Sequence, residues 1–185
     1  MLNNMEIEKK RYIALLRGIN VGGHKKVPMI ELRTLLSKIG LVGVNTYIQS
    51  GNVIFQSEKT DTKALEDLIA NSIANNFGFE VPVLVKTRLE FSTIFFNCPF
   101  DEEKKKDSYF IMLSEEPGEQ LVKKASQKTY TNDEYVIKKD CIYLFCENGY
   151  GRSKFNLSYF EKTLNVDATA RNYKTMLKLL SLSDI

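Results

Sequence analysis

The chain has few of the residues that usually announce chemistry. It holds one histidine, His24, and three cysteines, Cys98, Cys141 and Cys146, none paired as C-x-x-C. That supply excludes a Cys/His zinc site, and no metal is expected. Cys141 and Cys146 differ by an odd number of positions, so on one strand they face opposite sides. An odd cysteine count and no secretory leader predict reduced thiols and a cytoplasmic protein. Four prolines and ten glycines rule out a collagen-like or low-complexity chain. No apolar run approaches the ~18 residues of a membrane span, so no membrane partner is expected. Neither G-x-x-x-x-G-K-[ST] nor G-x-G-x-x-G occurs, and no motif calls for a cofactor.

What is present describes a folded protein. Of 185 residues, 43% are hydrophobic and 26% charged, enough apolar side chain for one large domain or two small ones. Lys plus Arg number 26 against 23 Asp plus Glu. The surplus lies in residues 1–100, which hold 12 basic and 9 acidic residues. At pI about 8.6 the chain falls short of the value above ~9 typical of a duplex-DNA binder, which leaves room for weak anion binding.

The N-terminal MLNNMEIEKKRY is polar and its leading residues read as a frayed tail; Arg11–Arg17 is a short apolar run that fits a buried strand. Gly18–Lys26 is a glycine-rich basic loop. A helix over Pro28–Ile39 follows, with Pro28 in its first turn and a stripe of Met29, Leu32, Leu35, Leu36 and Ile39. Val44–Gln49 and Asn52–Ser57 read as strands joined tightly through Ser50-Gly51. A helix over Thr62–Phe77, stopped by Gly78, and a strand over Val81–Thr87 complete β-α-β-β-α-β. Pro82 puts that last strand at a sheet edge or opens it. Leu89–Asn97 reads as a short connecting helix, and the charged Cys98–Asp107 as the boundary.

The pattern then recurs: strand Ser108–Ser114, helix Pro117–Ser126, and a hairpin of Glu134–Lys139 with Cys141–Cys146. A second glycine-rich basic loop, Asn148–Lys154, follows. Helix Asn156–Leu164, strand Val166–Arg171 and a final helix Asn172–Ser181 close the chain, with Asn156 and Asn172 as caps. The predicted class is therefore α+β, two tandem ferredoxin-like βαββαβ repeats with a C-terminal helix. The first unit spans 1–97, a linker 98–107, and the second unit 108–185. One mixed sheet shared by both halves is the alternative.

Four stretches are distinctive: ALLRGINVGGHKKVPMIELRT over Ala14–Thr34, TYIQSGNVIF over Thr46–Phe55, RSKFN over Arg152–Asn156 and TARNYKT over Thr169–Thr175. Together they resemble an uncharacterised bacterial family, domain of unknown function 1697. The resemblance runs over nearly the whole chain, with Tyr173 where Trp is expected. It implies a two-part α+β protein and no activity.

The first loop carries Arg17, Asn20, His24, Lys25 and Lys26 between a strand and a helix N-terminus, where N–H groups and the helix dipole favour an anion. Gln49, Ser50 and Asn52 cluster at the hairpin, and of these Gln49 has no turn preference to explain it. In the second half Arg152, Lys154 and Asn156 precede a helix, and Arg171 begins another; arginine grips a phosphate or carboxylate bidentately. The expected site is a cleft between the halves that takes a phosphorylated or anionic small molecule. Arg17, Asn20, His24 and Lys25 would contact it from one side. Gln49, Ser50 and Asn52 would add hydrogen bonds, and Arg152, Lys154 and Arg171 would approach from the other half.

A single-stranded nucleic-acid module is the alternative. Tyr12 lies on the first strand, but its hairpin lacks paired aromatics. Tyr109, and Tyr143 with Phe145 on one strand face, would offer a stacking surface in the second half. An interaction or scaffold protein without a small ligand is the third reading. Any His–Ser or His–Cys scheme would have to use His24, and no nucleophile is identifiably paired with it, so an enzyme is neither predicted nor excluded.

Overall fold

The structure, a computed structural model, describes residues 9–184. The leading residues expected as a frayed tail lie outside them. The described residues form two compact units: 9–91 together with 179–184, and Ser92–Lys178.

The first unit contains β1 (Lys10–Leu16), α1 (Met29–Lys38), β2 (Val42–Tyr47), β3 (Asn52–Ser57), α2 (Thr62–Phe77) and β4 (Val83–Thr87). Its sheet is antiparallel in the order β2-β3-β1-β4. Alternation along the strands decides what each face buries. Tyr12, Ala14 and Leu16 of β1 and Val53 and Phe55 of β3 point to one face, where they meet Leu32 and Leu36 of α1 and Leu65, Ile69 and Ile73 of α2. The Tyr12 and Phe55 rings stack at 5.6 Å. Asp61 caps α2 by accepting from the N–H groups of Lys63 and Ala64, and Gly78 ends it at φ +79°.

Edge strand β4 is closed by a side chain. Glu66 of α2 is buried, and its Oε1 accepts the Val85 N–H at 2.9 Å. The carboxylate takes the place of a neighbouring strand, which is one way to blunt an edge. Burial pushes the Glu66 carboxyl above the usual range, against the pull of the Val85 N–H and Lys63. The C-terminal residues tie into the same unit: Arg11 donates to the Ser183 carbonyl at 2.9 Å, and Arg88 pairs with Asp184.

The chain enters the second unit within α3 (Arg88–Phe96) and continues through α4 (Glu102–Lys106), β5 (Ser108–Leu113), α5 (Glu119–Ala125), β6 (Asp133–Lys138), β7 (Cys141–Cys146), α6 (Leu157–Leu164) and β8 (Ala168–Asn172). The last helix, α7 (Tyr173–Leu182), holds the second boundary. The second sheet is antiparallel in the order β6-β7-β5-β8. Ile111, Leu113, Ile142, Leu144, Phe160 and Leu164 form its helix-side core. Asn156 and Asn172 act as caps, accepting from Tyr159 N–H and Thr175 N–H.

The protein is thus α+β, with two four-stranded antiparallel sheets rather than one shared sheet. The segment expected as a linker, 98–107, instead holds α4, capped by Asp101. Its Lys105 is buried, with Nζ 4.6 Å from the centre of the Phe95 ring and 3.6 Å from Glu102. The compact units divide at Ser92 rather than after 97: Ile94 and Phe95 meet Tyr143 and Phe110 of the second sheet, and Phe100 meets Phe145.

Candidate functional site

In the first unit the expected residues are brought together, and most are used to hold the loop. Asn20 sits at φ +55°. Its amide donates to the carbonyls of Val27 (3.0 Å) and Gln49 (2.9 Å), while its Oδ1 accepts the Val27 N–H at 2.8 Å. One side chain therefore laces the glycine-rich loop to the β2–β3 turn. Asn52 is fully buried and donates to the Tyr47 carbonyl and to Ser50 Oγ. The expectation that Asn20, Ser50 and Asn52 face a ligand is corrected: satisfying the backbone of two tight loops consumes them.

The glycine of that turn is dictated by packing. Gly51 has φ +79°, and a Cβ there would lie 2.6 Å from Leu16 Cβ and 2.8 Å from the Leu16 carbonyl oxygen. The close approach lets Leu16 N–H donate to the Gly51 carbonyl at 2.7 Å.

Lys25 Nζ donates to the Glu80 carbonyl at 2.7 Å. Arg17 is half-buried, and its N–H donates to the Pro82 carbonyl. His24 is exposed at a tight turn where its N–H meets the Val21 carbonyl. Its imidazole has no hydrogen-bond partner among the described residues, so nothing activates it or is activated by it. What remains open is a recess of about 550 Å³ lined by Asn20, Lys26, Val27, Pro28, Ile30 and Gln49, among others. It lies at the start of α1, where Pro28 supplies no side-chain cap.

In the second unit a group of cations stands beside two recesses. Lys154 lines two recesses, of about 330 and 260 Å³. Lys128, Tyr130, Asn156 and Tyr159 share the first with it, and Asn132, Asp133, Asn148 and Arg152 the second; Thr131 lines both. Lys128, Arg152 and Lys154 have no ion-pair partner among the described residues. The carboxylate beside them, Asp133, accepts from the Ser153 hydroxyl at 2.8 Å. Lys128 Nζ stands over the Tyr130 and Tyr159 rings at 5.9 and 5.7 Å. Of the residues named from the sequence, Arg152 and Lys154 therefore meet. Lys128 and the tyrosines were missed, because only strand pairing brings residues 128–132 beside 148–156.

Arg171 does not join them. Its guanidinium donates to Thr169 Oγ1 and the Ala170 carbonyl, and burial lowers its pKa to about 10. The aromatic stacking surface is also corrected. Tyr143 is 2% exposed, donates to the Ile94 carbonyl at 2.8 Å and lies edge-on to Phe110. Phe95 of α3 covers Phe110 in turn. That face is interior, so no base can stack on Tyr143. Burial raises the Cys141 thiol well above its ordinary value and Cys146 to about 11, which favours the protonated thiol over the reactive thiolate at both. Among the described residues no cluster of His, Cys, Asp and Glu could hold a metal ion, and no helix is long and apolar enough to cross a membrane.

Residues 9–143 match the model of a family described as a protein of unknown function, DUF1697. The chain belongs to that family. The RSKFN and TARNYKT motifs lie beyond the matched residues. A solved structure carries the likeness further: a conserved bacterial protein, SP0830 from Streptococcus pneumoniae, is 28% identical, with a TM-score of 0.72 over 96% of this chain and 100% of its own. No curated protein matches. The description of the DUF1697 family and the name of the pneumococcal protein assign no ligand or reaction.

Proposed function

We propose that this DUF1697 protein binds a phosphorylated or otherwise anionic small molecule in the basic recesses of its second unit. The observation that carries the reading is Lys154, in the wall of both recesses, with Lys128 lining one and Arg152 the other, and none of the three in an ion pair among the described residues. Charge-assisted hydrogen bonds from such groups are among the strongest a protein offers. Asn132, Asn148 and Thr131 add uncharged polar contacts. The strand order of each unit supports the finer fold reading, two ferredoxin-like split βαβ repeats. A cytoplasmic location is part of the same proposal, consistent with unpaired Cys98, Cys141 and Cys146.

The test is calorimetric titration of the full chain with inorganic pyrophosphate at about 50 and 200 mM salt. Binding should weaken at the higher salt and fall at least tenfold in Lys154→Ala and in Arg152→Ala. Affinity unchanged in both variants removes this site.

A second reading rests on a different observation. The α1 N-terminus has no side-chain cap and opens beside Lys26 into the 550 Å³ recess. Its first N–H groups and the helix dipole suit an anion with an apolar portion against Val27, Pro28 and Ile30. If Lys26→Ala abolishes pyrophosphate binding and Lys154→Ala does not, the ligand belongs there.

A further inference from the structure

A fourth cavity, of about 450 Å³, is absorbed by neither reading. It lies in the second unit over the strand ends, where β5 begins and β7 and β8 finish. Its size falls within the range of small-molecule sites. Tyr109 and Tyr150 form its aromatic wall, stacked with ring centres 4.4 Å apart and 28° between planes. Lys106, Lys174, Asp107 and Glu147 stand around them.

Three features distinguish this wall from packing that merely covers a sheet end. Tyr150 keeps 39% of its surface exposed while one ring face rests on Tyr109. Neither tyrosine hydroxyl has a hydrogen-bond partner among the described residues, so both are left for solvent or a ligand. The four charged side chains likewise have no ion-pair partner among the described residues, although both signs line one cavity. Asn172 lines it too, and its Oδ1 is taken by the Thr175 N–H, so it presents amide hydrogens.

We propose that this cavity is a binding site for a nucleoside monophosphate. A flat ring stacks on the preassembled Tyr109–Tyr150 pair, which spends little conformational entropy because the two rings already hold each other. Every nucleobase has a face suited to such a wall. Asp107 and Glu147 accept from an exocyclic amino group, and Lys106 or Lys174 neutralises the phosphate. A plain anion would use the lysines and leave the rings and acids idle. An apolar ring would meet four charges. Only a ligand that is planar, bears donors and carries an anion engages the whole wall.

The experiment titrates the full chain with AMP, GMP, CMP and UMP, and with inorganic phosphate as the ring-free control. AMP or GMP should bind more tightly than phosphate. Tyr150→Ala should weaken that binding about tenfold or more, the measure of one lost stacking partner. Tyr150→Phe should preserve it, Lys174→Ala should reduce it, and Lys154→Ala should leave it intact. Circular dichroism and the melting temperature report folding, which the exposed Tyr150 should not disturb. The proposal is overturned if no nucleotide binds better than phosphate, or if Tyr150→Ala is silent. Loss in Lys154→Ala with a silent Tyr150→Ala overturns it and leaves the anion reading standing.

Discussion

Gly51→Ala is the substitution whose cost the structure sets most sharply. Two terms apply. Holding an L-residue in the left-handed region costs about 1–2 kcal/mol. The added Cβ would also sit 2.6 Å from Leu16 Cβ and 2.8 Å from the Leu16 oxygen, both on a buried strand that cannot yield cheaply. Overpacking of this kind costs about 1–3 kcal/mol, so the total is about 2–5 kcal/mol. Gly78→Ala separates the terms. Gly78 has the same φ, +79°, but a Cβ there meets nothing within 4 Å, so it carries only the backbone cost. Loss of unfolded-chain freedom on replacing glycine is common to both and cancels. Urea denaturation should give an unchanged m-value in both variants, with Gly51→Ala less stable than Gly78→Ala by about 1–3 kcal/mol. For a chain this long, Gly51→Ala should melt about 4–20 °C below the parent. Equal stabilities for the two variants would refute the claim that close approach to Leu16, rather than turn conformation, selects glycine in the QSGN turn.

Other predictions follow from single groups. Asn20→Asp keeps the acceptor for Val27 N–H and loses both donors, leaving two carbonyls facing a carboxylate; a destabilisation of about 1–3 kcal/mol is expected by urea titration, and a neutral result would contradict the lacing role. Glu66 has a raised pKa, so the native state holds its proton more tightly than the unfolded chain. Its contribution is greatest below the ordinary glutamate value and is lost as pH rises through the raised native value. Glu66→Gln keeps an oxygen for Val85 N–H and removes the buried charge, so melting temperatures measured across pH 4–7 should vary less than in the parent. Tyr143→Phe strands the buried Ile94 carbonyl and should cost about 1–3 kcal/mol, read from the urea midpoint. Tyr143→Ala should unfold or loosen the second unit without any specific effect on nucleic acid, the opposite of what an open stacking face requires.

Local signals carried much of the fold. Apolar spacing in α1 and α2, glycine at the end of α2, and the asparagines before α6 and α7 act over a few residues, so they are legible in one dimension. The boundary segment shows where that reading stops short. Asp101-Glu102-Glu103 followed by Lys104-Lys105-Lys106 has acids at the start and bases at the end, a helix signature in itself. A charge run suggests solvent first, and nothing local says that Lys105 ends under the Phe95 ring. The site residues divide in the same way. Asn20, Ser50 and Asn52 are conspicuous in sequence because two tight loops need them, a demand that looks the same as a demand for a ligand. Lys128 carries no motif and enters the basic recess only through the β6–β7 pairing.

By itself the sequence determined the class of protein: α+β, a β-α-β-β-α-β pattern written twice, with two basic loops. Those properties follow from composition and from periods of two and 3.6 residues, which every chain segment expresses locally. The tertiary structure decided which polar groups remain available for chemistry. Availability depends on who else occupies a group's hydrogen bonds and whether water reaches it, and both are set by residues tens of positions away. Folding thus spent Asn20, Asn52, Lys25 and Arg171 on the backbone, buried Tyr143, and left Lys128, Arg152, Lys154 and the Tyr109–Tyr150 pair facing open space.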